Sequence, residues 1–244
     1  MADSAALVLE EVVAGYGGLT VLNGTSLQAQ RGAITTIIGP NGAGKSTVFK
    51  TVFGLLPARA GRILFEGREV TNLAPRQLLE LGISYVPQGR NIFPQLSVRH
   101  NLELGATAAA DRIDVAARVA SVMDRFPMLR ERAGAQASTL SGGQQKLLEI
   151  ARALLLDPAL MLIDEPSIGL SPRLVQETFA ILHGLRAKGL TILMVEQNAK
   201  RALEISDYGV VIELGRTRMA GEARAILADP KVGQLFLGGG LVTS

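Results

Sequence analysis

Apolar residues recur along the chain in short unbroken runs: Ala33 to Ile38, Ala159 to Ile163, Leu190 to Val195 and Tyr208 to Ile212. Such runs, separated by helical periodicity, predict parallel strands buried on both faces and joined by helical crossovers. Two stretches depart from that pattern. Near the start, LVLEEVV, LTVLNGTSLQAQ and GRILFEG read as antiparallel strands bounded by glycines. From about Gln88 to Asp157 the pattern is helices and turns: SVRHNLEL, then VAARVASVMDRF, then a helix opened by LSGG. The expected fold class is therefore α/β in a single domain. Residues 1–87 and 158–244 form the core with an antiparallel β subdomain, and a helical subdomain at 88–157 is inserted in it. No internal repeat or linker is evident, and a GGG tail begins at Gly238.

Composition mainly excludes. The 244 residues suffice for a full core, and cysteine is absent, which rules out disulfides, thiolate catalysis and cysteine-based zinc sites and suits a reducing compartment. The formal charge is +3, with basic residues scattered in pairs such as Arg130 and Arg132 or Arg216 and Arg218. Without an arginine-rich block, an RNP-type aromatic cluster or zinc-finger spacing, no nucleic-acid partner is expected. Met1 to Ala6 lacks the basic start of an export signal, and Glu10 and Glu11 break the apolar run that follows, so a cytoplasmic location is expected. Asp157 and Pro158 interrupt the greasiest region, ALLLDPALMLI, well short of the roughly 18 apolar residues of a membrane span.

The chemistry starts where the strand AITTII runs into GPNGAGKST and then the helical STVFKTVF. This is the strand–loop–helix context of a phosphate loop, G-x-x-x-x-G-K-[ST]. Gly39, Gly42 and Gly44, with Pro40, Asn41 and Ala43 between them, allow backbone N–H groups to converge on a triphosphate at the positive end of a helix dipole. Lys45 reaches the β- and γ-phosphates in such loops, Ser46 ligates Mg²⁺, and Thr47 bonds a nearer phosphate. In ALMLIDEP, Asp164 ends a continuously apolar strand, the place where ligands bind in α/β sheets, and is the candidate second ligand for Mg²⁺. Glu165, restrained by Pro166, is placed to polarise a water for in-line attack on the γ-phosphate. The bland alternative for Glu165 is a solvated turn carboxylate.

LSGGQQK raises a separate question, because Gly142 and Gly143 each weaken a helix by about 0.8–1.0 kcal/mol relative to alanine. Ser141 and Gln144 have the spacing of an S-x-x-Q capping box, so this is a helix N-terminus with bare backbone donors, and side-chain-free glycines would admit a phosphate.

GPNGAGKST, LSGGQQK just before a helix and ALMLIDEP just after it together resemble the ATP-binding cassette ATPases, over nearly the whole chain. The resemblance implies a P-loop NTPase core that binds ATP and Mg²⁺. It implies that Ser141, Gly142, Gly143 and Gln144 meet the ATP of a second cassette, identical or different. It assigns Tyr16, in GYGG, to stacking on adenine, where an ordinary turn tyrosine is the alternative. It assigns Gln88, after the strand ISYVP, to sensing Mg²⁺ and the attacking water and to coupling with a membrane subunit; the alternative is a loop amide. Two positions depart from the family pattern. Gln197 follows LTILMVE where most members carry a histidine; it can donate a hydrogen bond to the γ-phosphate but holds no proton that titrates near neutral pH. Ser171, in SIGLS, stands where an aspartate usually crosses the dimer interface, so that contact is left open. With VPQGRNIFPQL, DEPSIGLSP, VEQN and the FLGGG ending, the chain is similar to the smaller ATPase of importers for branched-chain amino acids or related solutes such as urea and amides. That implies permease subunits, an external solute-binding protein and a position on the inner face of the cell membrane. A GTPase would need N-K-x-D, which is absent, and a soluble cassette ATPase without transport is the lesser alternative.

Overall fold

The computed structural model describes residues 5–107 and 113–236. Its first strands, β1 (Ala5–Tyr16) and β2 (Leu19–Gln30), form a hairpin turned at Gly17 and Gly18. β4 (Ala58–Phe65) pairs antiparallel with the other edge of β1, and the two-residue β5 (Arg68–Glu69) closes this sheet in the order β2-β1-β4-β5.

The second sheet has the order β10-β9-β3-β8-β7-β6. Its members are β3 (Ile34–Ile38), β6 (Ile83–Val86), β7 (Leu160–Asp164), β8 (Thr191–Val195), β9 (Tyr208–Glu213) and β10 (Arg216–Glu222). Every pairing in it is parallel except β9 with β10. All residues of β3, β7 and β8 are buried, because the pleat sends alternate side chains into two different cores. Met161, Ile163, Ile192 and Met194 join one core beneath the helices, whereas Leu160, Leu162, Leu193 and Val195 join the core shared with the antiparallel sheet and α1 (Lys45–Val52). The fold class read from the sequence is thus the one observed. β10 is the strand that the apolar pattern misses: its residues alternate between exposed and half-buried at a sheet edge, with arginine at both Arg216 and Arg218.

Between β6 and β7 the described elements are helical: α3 (Val98–Gly105), α4 (Val115–Arg125), α5 (Pro127–Glu131), a 3₁₀ turn at Ala137–Thr139 and α6 (Gly142–Ala153). Local caps start these helices. Ser97 Oγ accepts from the His100 N–H, and Asp114 Oδ1 accepts from the Ala117 N–H. The remaining helices are α2 (Pro75–Glu80), α7 (Pro172–Ala187), α8 (Ala199–Glu204), α9 (Ala223–Ala228) and α10 (Pro230–Phe236). No helix among the described residues is long and apolar enough to cross a membrane. The GGG tail lies outside the described residues.

Parallel register fixes where chemistry gathers. Ile37 lies opposite Val195, Asp164 opposite Val195, and Val86 opposite Ile163, so β3, β8, β7 and β6 end side by side at their carboxyl edge.

Candidate functional site

β3 delivers the chain to this edge, and the loop from Gly39 to Gly44 returns it into α1. Three glycines are required here for two reasons. Gly42 and Gly44 have φ of 79° and 102°, in the left-handed region, while a Cβ on Gly39 would lie 2.2 Å from the Ile212 carbonyl oxygen. Pro40 O accepts from the Ala43 N–H at 3.1 Å, and Asn41 is exposed at the tip. The Lys45 ammonium is buried and donates to Gly39 O at 2.7 Å and Pro40 O at 3.0 Å. Burial holds it below the ordinary lysine range, against the opposing pull of the Glu165 and Asp164 carboxylates. Ser46 and Thr47 follow in the first turn of α1, and the Thr47 backbone carbonyl accepts from Thr51 Oγ1 at 2.8 Å.

Ser46 Oγ donates to Asp164 Oδ1 at 3.3 Å, across 118 residues of sequence. Asp164 is 1% exposed, and the Tyr85 hydroxyl donates to its other oxygen at 3.5 Å. Burial raises the Asp164 carboxyl above its usual range, the Ser46 bond opposes this, and the neighbouring Glu165 charge adds to it. Burial and Asp164 likewise push the Tyr85 phenol upward. One hydroxyl beside one desolvated carboxylate fits Mg²⁺, which takes one or two protein carboxylates and fills its octahedron with waters and substrate phosphates. No group of three or more acidic, histidine or cysteine ligands occurs among the described residues, so the donor set does not suit an all-protein cage.

Glu165 leaves β7 with φ 49°, a left-handed conformation that a non-glycine residue adopts at a penalty of about 1–2 kcal/mol. Its N–H donates to Val195 O at 2.9 Å, and its Oε2 accepts from Gln88 Nε2 at 2.7 Å. The turn carboxylate is therefore not a solvated one: Glu165 is 9% exposed and faces Gln88. Tyr16 ends β1 and is 45% exposed, and the Lys50 ammonium of α1 sits 5.6 Å from its ring centroid.

Glu196 carries no signal in the sequence beyond its place after a buried strand, yet it organises the neighbouring loops. Its Oε1 accepts from the Ser167 N–H at 2.9 Å, and its Oε2 accepts from Ser167 Oγ at 2.8 Å and from the Gln197 N–H at 3.2 Å. Burial raises its carboxyl, and those three donors counter the rise. Through Glu196 the loop after Glu165 and the exposed Gln197 are tied together. Ser171, exposed, occupies the N-cap position of α7.

Ser141 and Gln144 form the capping box: Ser141 N donates to Gln144 Oε1 at 3.0 Å, and Gln144 N donates to Ser141 Oγ at 3.4 Å. Hydrogen bonds join Ser46 to Asp164 and Gln88 to Glu165, whereas among the described residues none joins residues 141–144 to the phosphate loop. The glycines also differ in their reasons. A Cβ on Gly143 would fall 2.5 Å from a methyl of the half-buried Leu174 on α7, so a side chain there would require the Leu174 side chain to shift. At Gly142 a Cβ would meet Leu170 at an ordinary 3.7 Å, which leaves its bare backbone without such an internal reason.

Both histidines are exposed, His100 on α3 and His183 on α7. The double change His100→Gln with His183→Gln is expected to leave ATP turnover within about twofold and its pH profile between about pH 5.5 and 8 unaltered. Steady-state hydrolysis across that range checks this; a loss above about tenfold, or 1.4 kcal/mol in barrier, with the fold intact contradicts it.

A family profile described as "ABC transporter" matches residues 22–168. The chain is 41% identical, over 96% of its length and 100% of the relative's, to the high-affinity branched-chain amino acid transport ATP-binding protein BraG of Pseudomonas aeruginosa. It is 39% identical, over 92% of its length and 95% of the relative's, to the probable branched-chain amino acid transport ATP-binding protein LivF of Archaeoglobus fulgidus. Among solved structures, the ADP conformation of an ATP-binding cassette of an ABC transporter matches with a TM-score of 0.85 at 32% identity, covering 96% of this chain and 99% of that one. With a profile match over more than half of the chain and relatives aligned along nearly all of it, the chain belongs to the ABC transporter family, as an ATP-hydrolysing cassette.

Proposed function

We propose that this cassette powers a membrane importer for branched-chain or related hydrophobic amino acids, using an ATP site shared between two cassettes. The observation that carries the chemistry is the convergence of Lys45, the Ser46–Asp164 pair and the Gln88–Glu165 pair at one edge of the parallel sheet. The solute class is supported by likeness to BraG and LivF along almost the full length.

In this reading the N–H groups of residues 39–47 and the Lys45 ammonium cradle the β- and γ-phosphates, and Tyr16 offers its exposed ring to the adenine. Ser46 and Asp164 hold Mg²⁺, with Gln88 beside them. An ion held by Ser46 and Asp164 would supply positive charge against the phosphates. Glu165 accepts the proton of the attacking water while the Gln88 amide fixes the carboxylate's direction. Gln197 donates to the γ-phosphate from a loop held by Glu196. Ser141, Gly142, Gly143 and Gln144 receive the γ-phosphate of the partner cassette's ATP; the exposure of Ser141 and the absence of an internal packing reason for glycine at Gly142 support this.

The cysteine-free sequence permits a direct test. Cysteines at Asn41 and Ser141, in the Glu165→Gln background and in membranes holding the permease, are expected to crosslink between chains only with ATP. A disulfide needs Cα atoms within about 7 Å. A bond within one chain would place both phosphate contacts in cis and sink the shared site. Loss of leucine uptake without the cassette tests the importer assignment in the same cells; unchanged uptake overturns it.

A further inference from the structure

One turn beyond Gly143, helix α6 buries an ion pair that the site described so far does not use. Lys146 Nζ lies 2.5 Å from Glu149 Oε2, and the two side chains are 6% and 2% exposed. Neither charge is sealed off inside the helix. Glu149 Oε1 accepts from the Asn91 N–H at 2.6 Å, and Lys146 Nζ donates to Gly89 O at 3.3 Å. Both bonds therefore cross from α6 to the loop that follows β6. Within that loop the Asn91 side-chain amide donates to Pro87 O at 3.1 Å and Gln88 O at 3.2 Å, and Gln88 in turn donates to Glu165 at 2.7 Å. A continuous chain of polar contacts thus runs from the helix opened by Ser141 to Glu165.

A buried ion pair is a poor source of net stability, because desolvating two charges offsets most of their attraction, and well-packed apolar residues often do as well or better. Each half of this pair is committed to a backbone group of one short loop, and Gly89 in that loop has φ 92°, a conformation that needs outside support to hold one direction. We infer that Lys146 and Glu149 are a positioning pair: they fix the Gly89–Asn91 backbone so that the Gln88 amide meets the Glu165 carboxylate, and they make this geometry follow the N-terminal end of α6. The inference rests on the proposed roles of Gln88 and Glu165.

The full-length chain tests it through ATP hydrolysis at saturating ATP, KM and thermal unfolding. Lys146→Met/Glu149→Leu removes both charges of the pair together, and the half-buried Arg152 one turn on, which Glu149 also attracts, loses that carboxylate with them. The variant is expected to unfold cooperatively and keep KM within about twofold, while kcat falls about tenfold, a transition-state effect. Lys146→Met/Glu149→Gln keeps an amide oxygen in reach of the Asn91 N–H and is expected to recover kcat to within about threefold of the parent. Added to Gln88→Ala, the first double change is expected to lower kcat by less than about twofold further, because the route to Glu165 is already cut. Parental kcat in Lys146→Met/Glu149→Leu, or losses that multiply with Gln88→Ala, would overturn the positioning role. If the leucine variant does not fold, the glutamine variant alone decides: a tenfold kcat loss with the Asn91 acceptor retained contradicts the inference. Parental turnover in Glu165→Gln would instead overturn the assignment of the catalytic carboxylate, which separates the two failures.

Discussion

Glu165→Gln is expected to bind ATP with an affinity within about threefold of the parent and to hydrolyse it at least a hundredfold more slowly, the lower end of what general-base catalysis supplies. The replacement is nearly isosteric. Its amide oxygen still accepts from Gln88 Nε2, and its backbone N–H still donates to Val195 O, so the left-handed turn at φ 49° keeps its supports. What disappears is the basic oxygen that takes a proton from water. Bound, uncleaved ATP is then expected to accumulate in a dimer of cassettes, visible as an ATP-dependent doubling of mass in size-exclusion chromatography. Nucleotide affinity by equilibrium binding and phosphate release by steady-state assay check the two halves separately. Hydrolysis at the parental rate would return Glu165 to an ordinary turn carboxylate and move the search for a base elsewhere.

Lys45→Ala is expected to fail one step earlier, at binding. The ammonium is buried, bonded to two loop carbonyls and flanked by Asp164 and Glu165. Burial opposes its charge, so a triphosphate beside it gains a charge-assisted hydrogen bond from a cation that water barely screens. Two of its three donors already meet loop carbonyls, so one new bond to phosphate, worth about 1.5–3 kcal/mol, gives about a ten- to hundredfold difference in Kd for ATP. Without Lys45 the phosphates would also face Asp164 and Glu165 with less positive charge between them. Titration with ATP measures the loss, and thermal unfolding without nucleotide shows whether the fold is retained. Parental affinity in a folded Lys45→Ala protein would mean that backbone N–H groups alone hold the phosphates.

These two expectations separate along the sequence of events, and the structure gives the reason. Lys45 closes the loop that is proposed to grip phosphate, whereas Glu165 follows the end of β7 and is bonded by Gln88. Gly143 and Lys146 lie one turn apart on α6, so the turn proposed to meet a partner's ATP and the pair proposed to position Gln88 share one helix.

Much of the site was legible in one dimension because its demands fall on residue types. Positive φ at Gly42 and Gly44 and the close approach of a carbonyl at Gly39 require glycine, so the phosphate loop announces itself in composition and spacing. Strands covered on both faces need apolar residues at every position, so β3, β7 and β8 stand out as unbroken runs, and Asp164 is conspicuous as the carboxylate that ends one. A cap is local, so Ser141 and Gln144 could be paired three residues apart.

What tertiary structure alone decided involves partners far apart in the chain. The Gln88–Glu165 bond spans 77 residues, the Asn91–Glu149 bond 58 and the Ser167–Glu196 bond 29. A lone glutamate in a helix or after a strand has no periodicity that distinguishes a buried acceptor from a solvated one, so Glu149 and Glu196 were silent until the fold enclosed them. Gly143 shows the same limit from the other side: its residue type was conspicuous, but only the packing of α6 on α7 shows that Leu174 occupies the place a side chain would need. Local conformation constrains which residue stands at a position and is therefore written into the sequence there. Burial and long-range hydrogen bonding depend on which surfaces meet, and that is settled only when the β3, β6, β7 and β8 edges are brought into register.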